Sequence, residues 1–569
     1  MQRVKHIRRI VSLVFAVAVL VSLWPPASAT GYSPSTTTLR IGLYFNTTEL
    51  PSANLQNVSG VGSGFDFGYY DADRNFVAIG AWTGENAVTV VMDRNMTWHP
   101  GEGGGAGEYR EGTEGSVVLG CFHIMLDAHY ETFDHAKADA EQFEDSFVKY
   151  NAGRFYVLMG GYTTRAEAES AIVARGLVGV LIDAGTSNTL VVTRTGTDKI
   201  LFEYDNGDTR HLGIRPRRIA DETPETWFRG FKYCGGFQYS RRSGGLITVV
   251  NFVSTEEYIK GILPYEMNNS WPMEALKAQA CTARNYALTS LGSHGAHGFD
   301  LCVTEHCQVY LGRNAANART DRAVEETAGM YITYNGSLCR TFYASTNGGA
   351  SENVENVWND TIPYLRGVVD PYEADVAERI SNYYWTINYT PQQLTQRLQG
   401  RGYNCSTIVS MEVSAHTPTG NVLSVTVKDD NGRTFTFSRR EQLISALGVP
   451  TQRFSIGNAT YNEGIEVFVD GSTQTINTGT QIYAIDGNGD TVEVPRGPIY
   501  AITESGSIEI ISEAAPNDSG MVNGVFRISG SGRGHNVGMS QWGAYSMAEY
   551  HGKSFIDIIK FYYTGVEVG

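Results

Sequence analysis

The sequence of this 569-residue chain predicts an α+β fold divided among several domains, with mixed sheets packed around one buried helix. Three observations carry that expectation. Apolar residues alternate in the strand manner, as at Leu39, Ile41, Leu43 and Phe45. Residues 330–470 are mostly short strands joined by Gly and Asn turns. From Trp271 to about Leu291, Ala275, Ala278, Ala280, Ala283 and Ala287 lie all round one helix. A helix that is small on every side is packed closely by its neighbours.

The first 29 residues read as an export signal. Arg3, Lys5, Arg8 and Arg9 precede an apolar run from Ile10 to Leu23, and Ala27-Ser28-Ala29 offers the small residues of a cleavage site. The run is shorter than the roughly 20 residues that span a bilayer, and an uncleaved anchor is the competing reading. The remaining length, at roughly 100–200 residues per domain, asks for several domains. Net charge is −16, which argues against nucleic acid as a partner, because phosphate binding needs a basic surface. An anionic polymer would have to be met by a local basic cleft. Seven cysteines are too sparse for a disulfide scaffold.

Residues 38–150 form a strand-rich region. Within it, Asp127 to Tyr150 reads as helix-prone, with Phe133, Ala136, Ala140, Phe143 and Phe147 at helical spacing. Residues 152–220 open with a strand from Arg154 to Tyr162. The capping pattern Thr164-x-x-Glu167 then starts an Ala-rich helix that Gly176 ends. Two strands follow, Val178 to Asp183 and Thr189 to Thr193. This β-α-β-β unit resembles a SPOR domain, and the resemblance implies binding to glycan stripped of stem peptides. No clear second helix is evident for it, and an ordinary small α+β unit is the competing reading.

Residues 225–457 hold the chemistry. Leu246 to Phe252 is a strand, Ser254-x-x-Glu257 caps a short helix, and Glu266 is expected on the loop that follows. Ser270-Trp271-Pro272 starts the Ala-rich helix, with proline in the first turn. Lys277 and Arg284 are seven residues apart and so share one face of it. Two cations on a buried helix need carboxylate partners or an opening to solvent, and a cleft on that face is the expectation. Residues 330–470 read as short strands and turns, with one helix from Thr390 to Leu398. Residues 458–517 read as a strand-rich insertion, and 518–569 as a Gly-rich loop followed by a helix.

Three blocks resemble one family. They are Leu263-Pro264-Tyr265-Glu266-Met267 with the helix through Ala287, Thr341 to Gly349 with Val357-Trp358, and Gly534 to Ala544 with Tyr562-Tyr563-Thr564-Gly565. Together they look like the stage II sporulation protein D/LytB family. Asn536 stands where that family usually has glycine. The resemblance implies a lytic transglycosylase that cleaves peptidoglycan glycan strands lacking stem peptides, with Glu266 as acid/base. It equally admits a non-catalytic wall protein that activates an N-acetylmuramoyl-L-alanine amidase. Lys277, Arg284, Ser345 and His535 become cleft residues on this reading.

His297, Cys302 and Cys307 stand close in sequence, and some family members bind zinc in this region through His and Cys. Zinc, a Cys302–Cys307 disulfide and free thiols all remain open here, with Glu305 and His306 as substitute ligands. A third reading, metal-assisted hydrolysis at these residues, competes with the one centred on Glu266.

Overall fold

A computed structural model describes residues 37–101, 106–183, 188–207, 210–241, 245–358, 360–457 and 519–569, and the backbone of six short strands between 465 and 510. The expected export signal, and most of the 458–517 insertion, lie outside the described residues. Among those described, no helix is long and apolar enough to cross a membrane.

The fold is α+β. A seven-stranded sheet runs from edge to edge as Leu301–Cys302, Thr38–Tyr44, Ile247–Ser254, Gly236–Arg241, Leu212–Arg218, Gly62–Tyr70 and Phe76–Trp82. Its alternation decides its faces. Leu39, Ile41, Phe65, Phe67, Ile214, Phe237 and Tyr239 are fully buried on the inner side, while Asp66, Arg215 and Arg217 stand on the outer one. The N-terminal strand therefore belongs to the same sheet as the strand that leads to Glu266.

A ten-stranded sheet shares that core. Its first four strands in space are Gly179–Ile182, Phe122–Tyr130, Arg154–Tyr162 and Ser146–Asn151, all antiparallel. Helix α1 (Phe133–Ala140) and helix α2 (Arg165–Arg175) complete a βαββαβ unit in the spatial order 4-1-3-2, the split-βαβ arrangement. The unit thus begins at Phe122, and its first helix lies upstream of the expected start. The boundary expected between 150 and 152 falls inside the hairpin of Ser146–Asn151 with Arg154–Tyr162. The helix expected over 127–150 is only α1. Phe143 lies beyond its end and Phe147 is on a strand, because residues 141–145 turn the chain into the sheet.

Four further helices frame the Ala-rich one. Helix α3 (Thr255–Glu266) is capped by Ser254. Helix α4 (Met273–Thr289) is the Ala-rich helix, packed by α3, α5 (Ala318–Glu326), and the terminal helices described below. A second core, built on α6 (Pro391–Gln399), α7 (Arg439–Leu447) and the sheet Ile408–His416, Val422–Asp429, Thr434–Ser438, stands apart. The C-terminal segment returns to the first core as α8 (Gln541–Glu549) and α9 (Phe555–Tyr562), both against α4.

Candidate active site and metal centre

Glu266 is the last residue of α3 rather than part of a loop. Pro264 does not break the helix, because it sits in the final turn, and Met267 N–H still donates to Leu263 at 3.0 Å. The helix end aims the half-buried carboxyl at two neutral donors. Tyr343 Oη donates to Oε1 at 3.2 Å and Gln541 Nε2 donates to Oε2 at 3.1 Å. Burial pushes the carboxyl above the usual range, the charge of Glu305 adds to that, and the two hydrogen bonds oppose it.

Each donor is held in turn. Gln308 Nε2 donates to Tyr343 Oη at 3.1 Å, and Tyr258 Oη donates to Gln308 Oε1 at 3.3 Å. Gln541 opens α8, whose capping residue Ser540 donates to Glu373. Glu373 is fully buried and also accepts from the Asn347 and Gly348 amides at 2.6 and 2.8 Å and from Tyr383 Oη at 2.9 Å. Burial, followed by the neighbouring Asp370, raises its pKa to about 7. The parallel pairing of Tyr343–Ala344 with Met539–Ser540 brings the two segments side by side. Residues 341–349 and 534–544 are thereby clamped together around Glu266. Trp271, Trp542 and Tyr545 cluster beyond Gln541, with ring centroids 4.7–5.6 Å apart.

The expected cleft residues divide. Lys277 and Arg284 do share a face, but it looks onto α5 and not into a groove. Arg284 is fully buried and pairs with Glu256 at 2.8 Å. Lys277 pairs with Glu326 at 2.8 Å and Glu274 at 3.1 Å. The cations thus found carboxylates on α3, α4 and α5, partners that their own spacing could not reveal. His535 lies behind Tyr343: its Nε2 donates to the Tyr343 carbonyl at 2.9 Å and its Nδ1 accepts from Val537 N–H at 3.1 Å. Burial, then the charge of Arg440, lowers its pKa to about 4, so the ring is neutral. Ser345 is exposed, and its carbonyl accepts from Trp542 N–H at 3.1 Å. Asn536 takes the left-handed conformation of the glycine it replaces, at φ 63°, and its amide donates to the Asn347 carbonyl at 2.7 Å.

The set of candidate metal ligands also changes. His294, Cys302, His306 and Cys307 bring their ligand atoms within 4.8 Å of one another. His297 is outside that group and packs its ring on Phe45 and Phe299. His294 Nε2 lies 3.3 Å from Cys307 Sγ, and His306 Nδ1 lies 3.5 Å from Cys307 Sγ and 3.8 Å from Cys302 Sγ. A tetrahedral zinc with ordinary bond lengths separates N and S ligands by roughly 3.6 Å, so the donors fit that ion. None of the seven cysteines is joined in a disulfide. The hydrogen bond between Cys307 and Cys302 draws the Cys302 thiol down and pushes the Cys307 thiol up, so the pair gives up one proton far more readily than two.

Tyr343, Gln308, Gln541 and His294 were not singled out by sequence. Tyr343 and Gln541 lie inside the motif blocks, whereas only the fold reveals that Gln308, next to Cys307, joins the loop of Cys302 and Cys307 to Tyr343.

Residues 243–334 match the family model described as SpoIID: Stage II sporulation protein. The chain is 29% identical over 360 residues to an uncharacterized protein of Brachyspira hyodysenteriae, covering 63% of this chain and 78% of that protein. It is 32% identical over 311 residues to the Amidase enhancer of Bacillus subtilis, covering 54% of this chain but 39% of that protein. Over 335 residues it is 26% identical to Stage II sporulation protein D of Bacillus subtilis, covering 56% and 75%.

Proposed function

This chain carries a SpoIID-family domain, and from that premise we propose that it is an exported lytic transglycosylase acting on peptidoglycan glycan strands that lack stem peptides. One observation carries the reading. Glu266 is a carboxyl raised by burial and hydrogen-bonded by a phenol and an amide, with Glu305 near enough for its charge to add to the rise. A general acid must hold its proton near the working pH. Glycosidases that use water as the nucleophile, or form a covalent intermediate, work with two carboxyls. One suffices when the sugar supplies the nucleophile.

Glu266 protonates the glycosidic oxygen as the C1–O bond breaks. The resulting carboxylate then takes the proton of the same sugar's 6-hydroxyl, whose oxygen closes on C1 as a 1,6-anhydro ring. The Tyr343 and Gln541 donors stabilise the carboxylate between the two steps. Trp271 and Trp542 offer aromatic faces for sugar rings.

His294, Cys302, His306 and Cys307 are proposed to hold zinc. Two thiolates and two imidazoles would fill the coordination of such an ion, which would then supply rigidity to the loop rather than a Lewis acid. That loop carries Gln308 and so orients Tyr343.

The test is mass spectrometry of products from peptide-free glycan. The wild type should release anhydro-ended fragments, and Glu266→Gln should lose at least about 10²-fold in rate. Retained activity in Glu266→Gln would sink the assignment. The similarity to a protein named Amidase enhancer favours a second reading, a wall protein that activates an amidase. In that case the purified chain alone releases nothing, and added amidase works faster in its presence.

A further inference from the structure

The outer face of the seven-stranded sheet carries a feature that the chemistry at Glu266 does not use. Gly213 and Gly236 occupy outward positions there, and aromatic rings lie over them. A Cβ on Gly236 would meet Tyr70 Oη at 2.1 Å, and one on Gly213 would meet Phe76 and Tyr70 at 3.0 and 3.2 Å. Tyr70 stacks on Phe252 at 3.7 Å between centroids, tilted by only 14°. Side chains that would normally stand off a sheet are laid flat.

The turn from Asp71 to Asn75 folds back over this face. From it Arg74 reaches across to the far side of the sheet, donating to the Thr38 carbonyl at 2.7 Å and pairing with Asp300 at 2.8 Å. The result is a trough divided under Arg74. One part is a cavity of about 610 Å³ and the other of about 530 Å³, and both are lined by Tyr70, Arg74 and Phe252. From Thr38–Tyr44 to Leu212–Arg218 the trough crosses three strand spacings, roughly 14 Å.

Its charge runs against that of the whole chain. The larger cavity is lined by Arg74, Arg215, Arg217 and Arg218 against Asp66 and Glu257. Asp66 is shared by Arg215 and Arg217, and Asp300 by Arg40 and Arg74. Each of these carboxylates therefore faces two guanidiniums, and a guanidinium has five donors, more than a shared carboxylate can occupy. Arg215 and Arg217 keep side-chain exposures of 46% and 41%. Arg215 also lies over the Phe76 ring at 4.5 Å. In a chain of net charge −16, this concentration of cations beside flat aromatic rings is a local reversal.

We propose that this trough is a second polysaccharide site, which takes a glycan strand bearing free carboxylates: the lactyl groups of muramic acid residues whose stem peptides have been removed. Aromatic faces receive sugar rings, and paired guanidiniums receive the carboxylates in bidentate fashion. While a stem peptide is attached, that carboxyl is an amide and carries no charge. The guanidiniums therefore read the state of the strand. Glu257 lines the trough and lies nine residues before Glu266 on α3, roughly 13 Å along the helix. About two and a half turns separate them, so their side chains leave α3 on opposite faces and the trough is a site separate from the proposed reacting group. The proposal rests on glycan being the substrate and not on which bond is cut.

The test uses the full chain with Glu266→Gln, so that nothing is consumed, and follows the fluorescence anisotropy of labelled peptide-free glycan fragments. The parent should bind them more tightly than neutral chitooligosaccharides of equal length. Arg215→Gln/Arg217→Gln should weaken glycan binding by at least about tenfold at low salt, the loss of one charge-assisted hydrogen bond or more, with chitooligosaccharide binding unchanged. If that double variant melts early, Arg218→Glu, at an exposed position, should show the same selective loss. Unchanged glycan affinity in a folded variant, equal affinity for the neutral chain, or tighter binding to a phosphodiester wall polymer would each overturn the proposal. The anhydro-product assay decides the function of Glu266 separately. Absent cleavage with intact trough binding rejects that reading and leaves this one standing.

Discussion

Tyr343 and Glu266 meet across 77 positions of sequence, the phenol donating to the carboxylate at 3.2 Å. The bond favours the ionised form, so it restrains the upward push of burial. Tyr343→Phe should therefore raise the Glu266 pKa further. If the acid form begins the reaction, the alkaline limb of the pH–rate profile for glycan cleavage moves to higher pH, while the maximal rate falls because the carboxylate of the second step is less well held. A limb that stays in place would show that another group sets it.

Glu266 itself should cost stability. Its folded pKa lies above the unfolded one, so the unfolded state ionises first and stability falls as pH rises through the unfolded value, about 4.3. Glu266→Gln removes that loss. Its thermal midpoint should exceed the wild type's at pH 7, and the difference should vanish well below pH 4. Parallel melting curves across that range measure it.

Removing the proposed zinc should loosen the loop rather than abolish a Lewis acid. Chelation, or Cys307→Ser, should lower the thermal midpoint and reduce glycan cleavage only partly. Both treatments should also move the alkaline limb of the profile upward, because a displaced Gln308 no longer holds Tyr343 on Glu266. Complete loss of activity on chelation in a protein that remains folded would instead favour chemistry at the metal.

Arg284 should be a stability residue. It is fully buried on its pair with Glu256. Arg284→Met leaves Glu256 facing that site alone, at a cost of about 3–5 kcal/mol. Adding Glu256→Met should recover most of the loss, since replacing both charges with apolar groups removes the unpaired one. Denaturant unfolding of the two variants makes the comparison.

The α+β class was legible because alternation and capping are local. Leu39, Ile41 and Leu43 point inward as their period requires, and Thr164 and Gly176 bound α2 as their chemistry requires. What escaped was whatever depends on distant pairing. The face shared by Lys277 and Arg284 follows from helical geometry, but the helix across from it does not. His294 was overlooked in favour of His297 because nearness in sequence says little about a loop. Its single 3-10 turn carries His297 onto Phe45 and leaves His294 against Cys307. The βαββαβ unit was found from its second half alone: Thr132 caps α1 as its chemistry requires, but nothing local pairs Phe122–Tyr130 with Arg154–Tyr162 across the sheet.

That unit hands its strand Ser146–Asn151 to Ile200–Asp205 in parallel, and the ten-stranded sheet continues without a break. It is therefore no bead on a string. A protease will not release it as a stable fragment, because cutting at its borders exposes a ladder of unpaired amides on the piece left behind. The unit stands at a fixed distance and angle from the rest of the core, as a jaw does and a tether does not.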